Sequence, residues 1–379
     1  MQKVGIRFSF VHLYVHVPFC LRRCSYCDFS IAVRKRIPAE EYVDAIRREL
    51  AISGPLGGKL ETIYFGGGTP SLLPAPAIAA VLSEITRQAP IAPEVEVTLE
   101  ANPEDVTPDT AQLWKGAGVN RVSLGSQSFD DRVLQWMHRS HDAARIGDAV
   151  RTLRGAGIDN ISLDLIFGLP AELHRDWARD LELALALQPS HLSLYGLTVE
   201  ARTPLARWIS RGATTVPEED RYADEYLAAH AALGAQGFQF YEVSNAARDG
   251  HRSRHNSAYW SGRPYRGLGP AAHSYDGRVR RWNRSAWESY REAVAAGSSP
   301  VESEEVLTDT QQELERVYLG LRTSEGVSLT DLARLRPPSP DWVKQGWVVV
   351  DGTRLRCTPE GWLRLDALVR DLTGGPLHA

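Results

Sequence analysis

The stretch Tyr14-Val-His-Val-Pro-Phe-Cys-Leu-Arg-Arg-Cys-Ser-Tyr-Cys-Asp-Phe29 decides how the rest of the chain is read. It holds three of the four cysteines, Cys20, Cys24 and Cys27, at C-x3-C-x2-C spacing. Three thiolates on one short loop suit three irons of a cubane [4Fe–4S] cluster. The loop offers no fourth thiolate, so the fourth iron stays open to another ligand. Structural zinc is an alternative, with His16 as a fourth ligand, although zinc usually takes four ligands in paired knuckles. A disulfide with a spare thiol is a third reading, but three cysteines this close together make poor bridges.

Outward from the loop, strand and helix patterns alternate. Residues 13–17 form a β-rich run ended by Pro18, and residues 39–52 carry apolar side chains at helical spacing. Further strands are expected at 61–65, 94–99, 120–124, 160–167 and 191–195. Helices are expected at 76–88, 108–116, 130–137, 142–156 and 173–187, with Thr107 as a cap and Pro108 as a first helical residue. Six βα units imply parallel strands with crossover helices, either doubly wound or closed as a barrel. The cysteine loop, the Gly66–Gly68 turn, Glu100, Gln127 and Asp164 all fall at or near the C-terminal ends of successive strands. In a barrel those ends share one face, where ligand sites are built. The fold class expected is α/β: a partial (β/α)6 TIM-like barrel.

Beyond residue 195 the alternation weakens. A helix is expected at 218–233 and a strand at 238–243, and residues 248–275 are rich in Arg, His and aromatics. The basic run 278–284 reads as a solvated strand face. A helix at 309–321, another at 328–335, a hairpin with Asp351-Gly352 at its turn and a last helix at 361–372 suggest a small α+β, winged-helix-like C-terminal domain. It is expected to be a packing module over the open side of the barrel, not a DNA binder, with Cys357 as a buried thiol. The expected division is 1–236, 237–300 and 301–379.

Composition narrows the class. The chain has 379 residues, 43% hydrophobic and 24% charged, which suits a globular protein of a large and a smaller domain. A net charge of −4 gives no reason to expect nucleic acid as a partner. Clustered cysteines point to metal in a reducing compartment. Lys3 and Arg7 followed by apolar residues imitate the start of a signal peptide, but His12 and His16 interrupt the run. No apolar run approaches the roughly 18 residues of a spanning helix. The expectation is a cytoplasmic protein that meets a membrane only through a partner.

Taken together, these motifs resemble the radical SAM superfamily and, within it, the HemN/HemW group of oxygen-independent coproporphyrinogen III oxidases and their heme-chaperone relatives. The resemblance covers nearly the whole chain. It rests on the cysteine loop, Gly66-Gly-Gly-Thr-Pro70, Glu100-Ala-Asn-Pro103, Gln127-Ser-Phe129, Arg139 and Asp164-Leu-Ile-Phe-Gly-Leu-Pro170. It implies a radical SAM core in which Cys20, Cys24 and Cys27 ligate the [4Fe–4S] cluster. S-adenosyl-L-methionine (SAM) would chelate the open iron through its amino and carboxylate groups. Tyr14 and Tyr26 would lie against SAM or the cluster. The backbone of Gly67, Gly68 and Thr69 would meet the methionine end, where a missing Cβ permits close approach. Glu100, Gln127, Arg139 and Asp164 would contact the rest of SAM.

Two branches of the group differ in ways visible here. The oxidases carry a further cysteine two residues after the third, where this chain has Phe29, and a long N-terminal extension, where this chain has 13 residues before Tyr14. His255-Asn-Ser-Ala-Tyr-Trp260 matches the H-N-x-x-Y-W motif of the heme-chaperone branch, HemW, and the following Gly267–Ser274 segment fits it too. A neutral imidazole suits heme iron, with His251 and His273 as competitors to His255. Tyr259 and Trp260 offer flat apolar faces, and Arg248, Arg252, Arg254, Arg263 and Arg266 could pair with propionates. The resemblance thus implies a heme chaperone binding a [4Fe–4S] cluster, SAM and heme. Its partners would be acceptor hemoproteins, including respiratory, membrane-associated ones, and it admits a homodimer. The alternative is a coproporphyrinogen III oxidase, forming protoporphyrinogen IX by SAM-dependent radical decarboxylation.

Overall fold

The computed structural model describes residues 10–374, so Lys3 and Arg7 lie outside the described residues. Six strands lie side by side in chain order: β1 (Phe10–Val17), β2 (Gly57–Gly67), β3 (Ile91–Ala101), β4 (Arg121–Gln127), β5 (Asn160–Phe167) and β6 (His191–Gly196). Each is parallel to the next. Helices α1 (Ala39–Ser53), α2 (Ala75–Gln88), α3 (Pro108–Ala117), α4 (Asp131–Trp136), α5 (Ala143–Gly155) and α6 (Trp177–Ala186) provide the crossovers. Three short strands extend the edges: β7 (Gln239–Glu242) and β8 (Asn245–Ala247) beyond β6, and β9 (Arg266–Leu268) beyond β1. The order β9-β1-β2-β3-β4-β5-β6-β8-β7 leaves two separate edges, so the barrel is partial, as expected.

Strand alternation with period two sorts the side chains. Leu13, Val15, Ile63, Phe65, Val97, Leu99, Leu163 and Leu194 join one apolar core with helix residues such as Ile46, Ile78, Trp114 and Val150. The residues between them are polar: His12, Tyr14 and His16 on β1, Thr62 and Tyr64 on β2, Glu100 on β3, Ser123 on β4, Asp164 on β5 and Tyr195 on β6. A closed barrel usually fills its interior with branched apolar side chains. Here that set is replaced by groups that hydrogen-bond.

Local signals explain most helix ends. Thr107 and Thr110 cap α3 reciprocally, Pro108 stands in its first turn, and Gly118 ends it in a left-handed conformation at φ 104°. Three expected helices are corrected. Residues 173–187 do not start helical: Ala171–Leu173 is a 3₁₀ turn, His174 takes φ 46°, and Asp176 caps the shorter α6. Residues 328–335 form a strand end and a 3₁₀ turn at Asp331–Arg334, the start of the segment being taken by strand pairing of Val327 and Ser328 with Leu355 and Arg354. The last, 361–372, is split into Pro359–Trp362 and Leu365–Thr373.

After β6 come α7 (Pro204–Ser210), α8 (Glu219–Ala235), α9 (Arg254–Trp260) and α10 (Trp287–Ala295), then α11 (Asp309–Arg322). A three-stranded antiparallel sheet of His273–Tyr275, Val279–Asn283 and Val301–Val306 lies in this part of the chain. The basic run 278–284 is ion-paired and not merely solvated: Arg280 meets Glu315 at 2.6 Å and Arg281 meets Asp276 at 2.9 Å. The C-terminal unit, with its own three-stranded antiparallel sheet, docks on β7. Val243 N–H donates to the Arg322 carbonyl at 3.1 Å, Ser324 N–H to Tyr241 at 3.0 Å, and Arg322 pairs with the fully buried Glu242 at 2.9 Å. An otherwise open sheet edge is thereby covered. Cys357 is buried in this unit.

Candidate cofactor-binding site

The cysteine loop is held at several points. Phe19–Cys20 pairs with Ala32–Val33 at its base. Gly68 N–H donates to the Val17 carbonyl and Thr69 N–H to the Phe19 carbonyl, both at 2.8 Å, and Ser25 N–H reaches Met137 at 3.2 Å. These bonds fix the loop over the C-terminal ends of the strands. A cavity of about 450 Å³ opens there. Cys20, Cys24, Cys27, Tyr26, Gly67, Gly68, Thr69, Glu100, Gln127, Arg139 and Asp164 all line it.

Each polar group is fastened from behind. Glu100 accepts from Tyr64 Oη at 2.7 Å and from Gly67 N–H at 3.1 Å. Burial pushes its carboxyl up to about 7, against the pull of those two donors. Asp164 accepts from Ser123 Oγ at 3.0 Å and is also raised by burial. Arg139 donates to Asn102 Oδ1 at 2.6 Å and to the Gly125 carbonyl at 3.0 Å, and lies 3.6 Å from Cys24 Sγ. Gln127 sits at a break in the β4–β5 register with φ 66°, a costly conformation for a residue with a side chain. Gly67 has φ +114°, and a Cβ there would stand 2.7 Å from the His16 ring; a Cβ on Gly68 would stand 2.8 Å from the Phe19 carbonyl oxygen.

The donor set fits an iron–sulfur cluster better than a single ion. Among the described residues no three His, Cys, Asp or Glu side chains come together at single-ion spacing. His16 is engaged elsewhere: Nε2 meets the Ser30 carbonyl at 3.2 Å and Nδ1 meets Tyr14 Oη at 3.1 Å. Arg139 Nε is buried without a partner, which leaves donor capacity for an anionic guest beside Cys24. Burial holds the Cys20 thiol up at about 11, so metal must displace its proton.

Tyr14 and His255 are not on this cavity. His255 is 1% exposed. Its Nδ1 meets Thr62 Oγ1 at 2.7 Å and its Nε2 meets Tyr259 Oη at 2.8 Å. Its ring stacks on Tyr64 at 5.0 Å and on Tyr14 at 6.4 Å. Burial lowers its pKa to about 3, so the imidazole is neutral. Glu96 accepts from the N–H groups of Arg254 and His255 and orients the start of α9.

The five arginines proposed from sequence do not form one group. Arg248 lies over Phe238, Arg252 reaches Glu325 at 3.5 Å, Arg254 lies 3.9 Å from Glu61, and burial lowers the pKa of Arg266, which Glu49 partly offsets. Arg263 reaches Glu61 at 3.3 Å. Sequence reasoning also missed three contributors to the cavity: Asn102, which anchors Arg139; Ser123, which holds Asp164; and Tyr195, 45% exposed at the end of β6. The signal for Tyr195 was its place at a strand terminus, and for Asn102 the Glu-Ala-Asn-Pro run itself.

Residues 14–184 match the model of the Radical SAM superfamily and residues 307–364 that of the HemN C-terminal domain. The heme chaperone HemW of Mycobacterium tuberculosis is 38% identical over 368 residues, spanning 96% of this chain and 94% of that protein. HemW of Synechocystis is 40% identical, spanning 84% and 79%. Among solved structures, coproporphyrinogen III oxidase (HemN) from Escherichia coli matches with a TM-score of 0.81 at 22% identity, covering 96% of this chain and 90% of that one, which supports the fold alone. Membership of the superfamily implies a [4Fe–4S] cluster and SAM, consistent with the donor set of the cavity. The chain belongs to the radical SAM superfamily and, within it, to the heme chaperone HemW family.

Proposed function

We propose that this protein binds a [4Fe–4S] cluster, SAM and heme and delivers heme to acceptor hemoproteins. The observation that carries the cofactor part is the gathering of Cys20, Cys24 and Cys27 with Gly67, Gly68, Thr69, Glu100, Gln127, Arg139 and Asp164 around one cavity. The heme part is supported by kinship with chaperones of that name and by the His255 motif. The three thiolates would hold the cluster. The Gly67–Thr69 backbone would take the methionine end of SAM, with Glu100 facing its ammonium and Arg139 the anionic cluster edge. When bound, cluster and SAM supply one-electron reductive chemistry.

Phe29 in place of the further cysteine favours the carrier over the oxidase. Among the described residues no helix is long and apolar enough to cross a membrane, so respiratory acceptors in a membrane would be met by contact. A cytoplasmic location, a homodimer and the division at residues 236 and 300 remain proposals from sequence.

The test is a paired assay on anaerobically reconstituted protein. One arm titrates hemin and follows the Soret band. The other supplies coproporphyrinogen III, SAM and reductant. Hemin binding without protoporphyrinogen IX is the expected result, and turnover would overturn the carrier assignment.

A further inference from the structure

A second cavity, of about 520 Å³, opens between the end of α9 and α11. It shares no lining residue with the cysteine cavity. Its size falls within the roughly 300–1,000 Å³ of small-molecule sites.

Its walls are aromatic. Tyr259 and Tyr265 meet edge to face at 4.6 Å, and Tyr265 and Tyr275 lie 6.4 Å apart. Trp260 completes the set, with the Arg322 guanidinium 4.3 Å from the centre of its ring. The indole Nε1 is buried and has no partner.

Its charge is cationic. Three guanidiniums line it against one carboxylate, Glu315. Arg280 pairs with Glu315 and Arg263 with Glu61. Arg316 has no carboxylate within 4.0 Å among the described residues. Aromatic rings set at 80° and 46° to their neighbours, with a surplus of guanidinium, suit an apolar ring system that carries carboxylates.

We propose that this cavity is where heme sits, its macrocycle against Tyr259, Trp260 and the two further tyrosines, its two propionates on Arg280 and Arg316. This placement rests on the heme reading above and changes its residues. His255 lies behind Tyr259, bonded to that hydroxyl, and does not line the cavity. Of the five arginines drawn from sequence only Arg263 borders it. The C-terminal unit, through α11, forms one wall of the site.

The experiment is a hemin titration of the reconstituted full chain and of Arg316→Glu and Arg316→Lys, with hemin dimethyl ester as an uncharged second probe. Arg316→Glu is expected to weaken hemin about tenfold or more, and Arg316→Lys to stay within about threefold, because one charge-assisted carboxylate contact is lost or kept. The ester is expected to bind all three proteins equally, and iron, sulfide and SAM binding to stay unchanged. Equal hemin affinity for wild type and Arg316→Glu overturns the placement and leaves the heme reading standing. A wild-type protein that binds no hemin overturns that reading, and the placement with it.

Discussion

Replacing His255 by Gln changes how stability depends on pH, and the size of the change follows from burial. In the native protein the imidazole stays neutral down to about pH 3, against 6.5 for an ordinary histidine. Between those values the unfolded chain binds a proton that the native state does not. The contribution of this residue is therefore complete above pH 6.5 and falls as pH falls towards 3. From pH 7 to pH 5 the unfolded imidazole goes from mostly neutral to mostly charged, which costs the native state about 2 kcal/mol. Other buried groups run the opposite way: Glu100, raised to about 7, gains native-state stability on acidification. Such groups titrate in both proteins and cancel in the difference. Gln keeps a donor and an acceptor for Thr62 and Tyr259, so its packing penalty does not depend on pH. Urea unfolding of both proteins, followed by tryptophan fluorescence at the two pH values, is the assay. The variant should lose about 2 kcal/mol less than the wild type between pH 7 and pH 5. A gap between the two proteins that stays constant within about 0.5 kcal/mol would show that His255 is not held neutral, and would refute the burial argument.

Cys24→Ala should abolish the cluster chromophore on reconstitution; iron and sulfide at wild-type levels would remove Cys24 from the ligand set. Gly67→Ala should lower thermal stability more than Gly118→Ala, since both have positive φ but only the first meets a ring, at 2.7 Å. The backbone strain common to both is about 1–3 kcal/mol, and equal Tm losses would show that the close approach to His16 carries no weight. Gly67→Ala should also weaken SAM in equilibrium dialysis. Phe29→Cys should not confer coproporphyrinogen III turnover, because Phe29 is 61% exposed at the cavity rim and one thiol there does not build a porphyrinogen site; product formed by that single variant would refute this.

The six central strands were legible because each combines a short β-rich run with a turn signal, and each crossover repeats helical spacing. The site was legible for a related reason. Glycines, carboxylates and cysteines stand where strands end, and the strand order then brings them to one face. What could not be read depends on distant partners. β8 and β9 are three residues long and owe their existence to the edges they pair with. The polar residues on β1, β2 and β5 looked like single interruptions, yet the parallel register aligns them into one continuous polar face. Of the arginines near His255 only Arg254 and Arg263 come together, at Glu61; α9 and the turns around it send the others to Phe238, Glu325 and the surroundings of Glu49. Residues 328–335 read as a helix, but Val327 and Ser328 pair with a strand further along the chain, at Leu355 and Arg354, which the local sequence does not announce.

The stack of Tyr14, Tyr64 and His255 stands between two chambers. On one side Tyr64 holds Glu100, which lines the cysteine cavity. On the other His255 holds Tyr259, which lines the cavity beside α11. Close-packed rings do not yield at one end without work at the other. Any free energy that a guest in one chamber spends on this partition is felt by a guest in the second, and linkage makes the exchange symmetrical: the factor by which one changes the affinity of the other is the same in both directions. With cluster and SAM in one chamber and heme in the other, as proposed above, such a partition would report cofactor state to cargo without a moving domain.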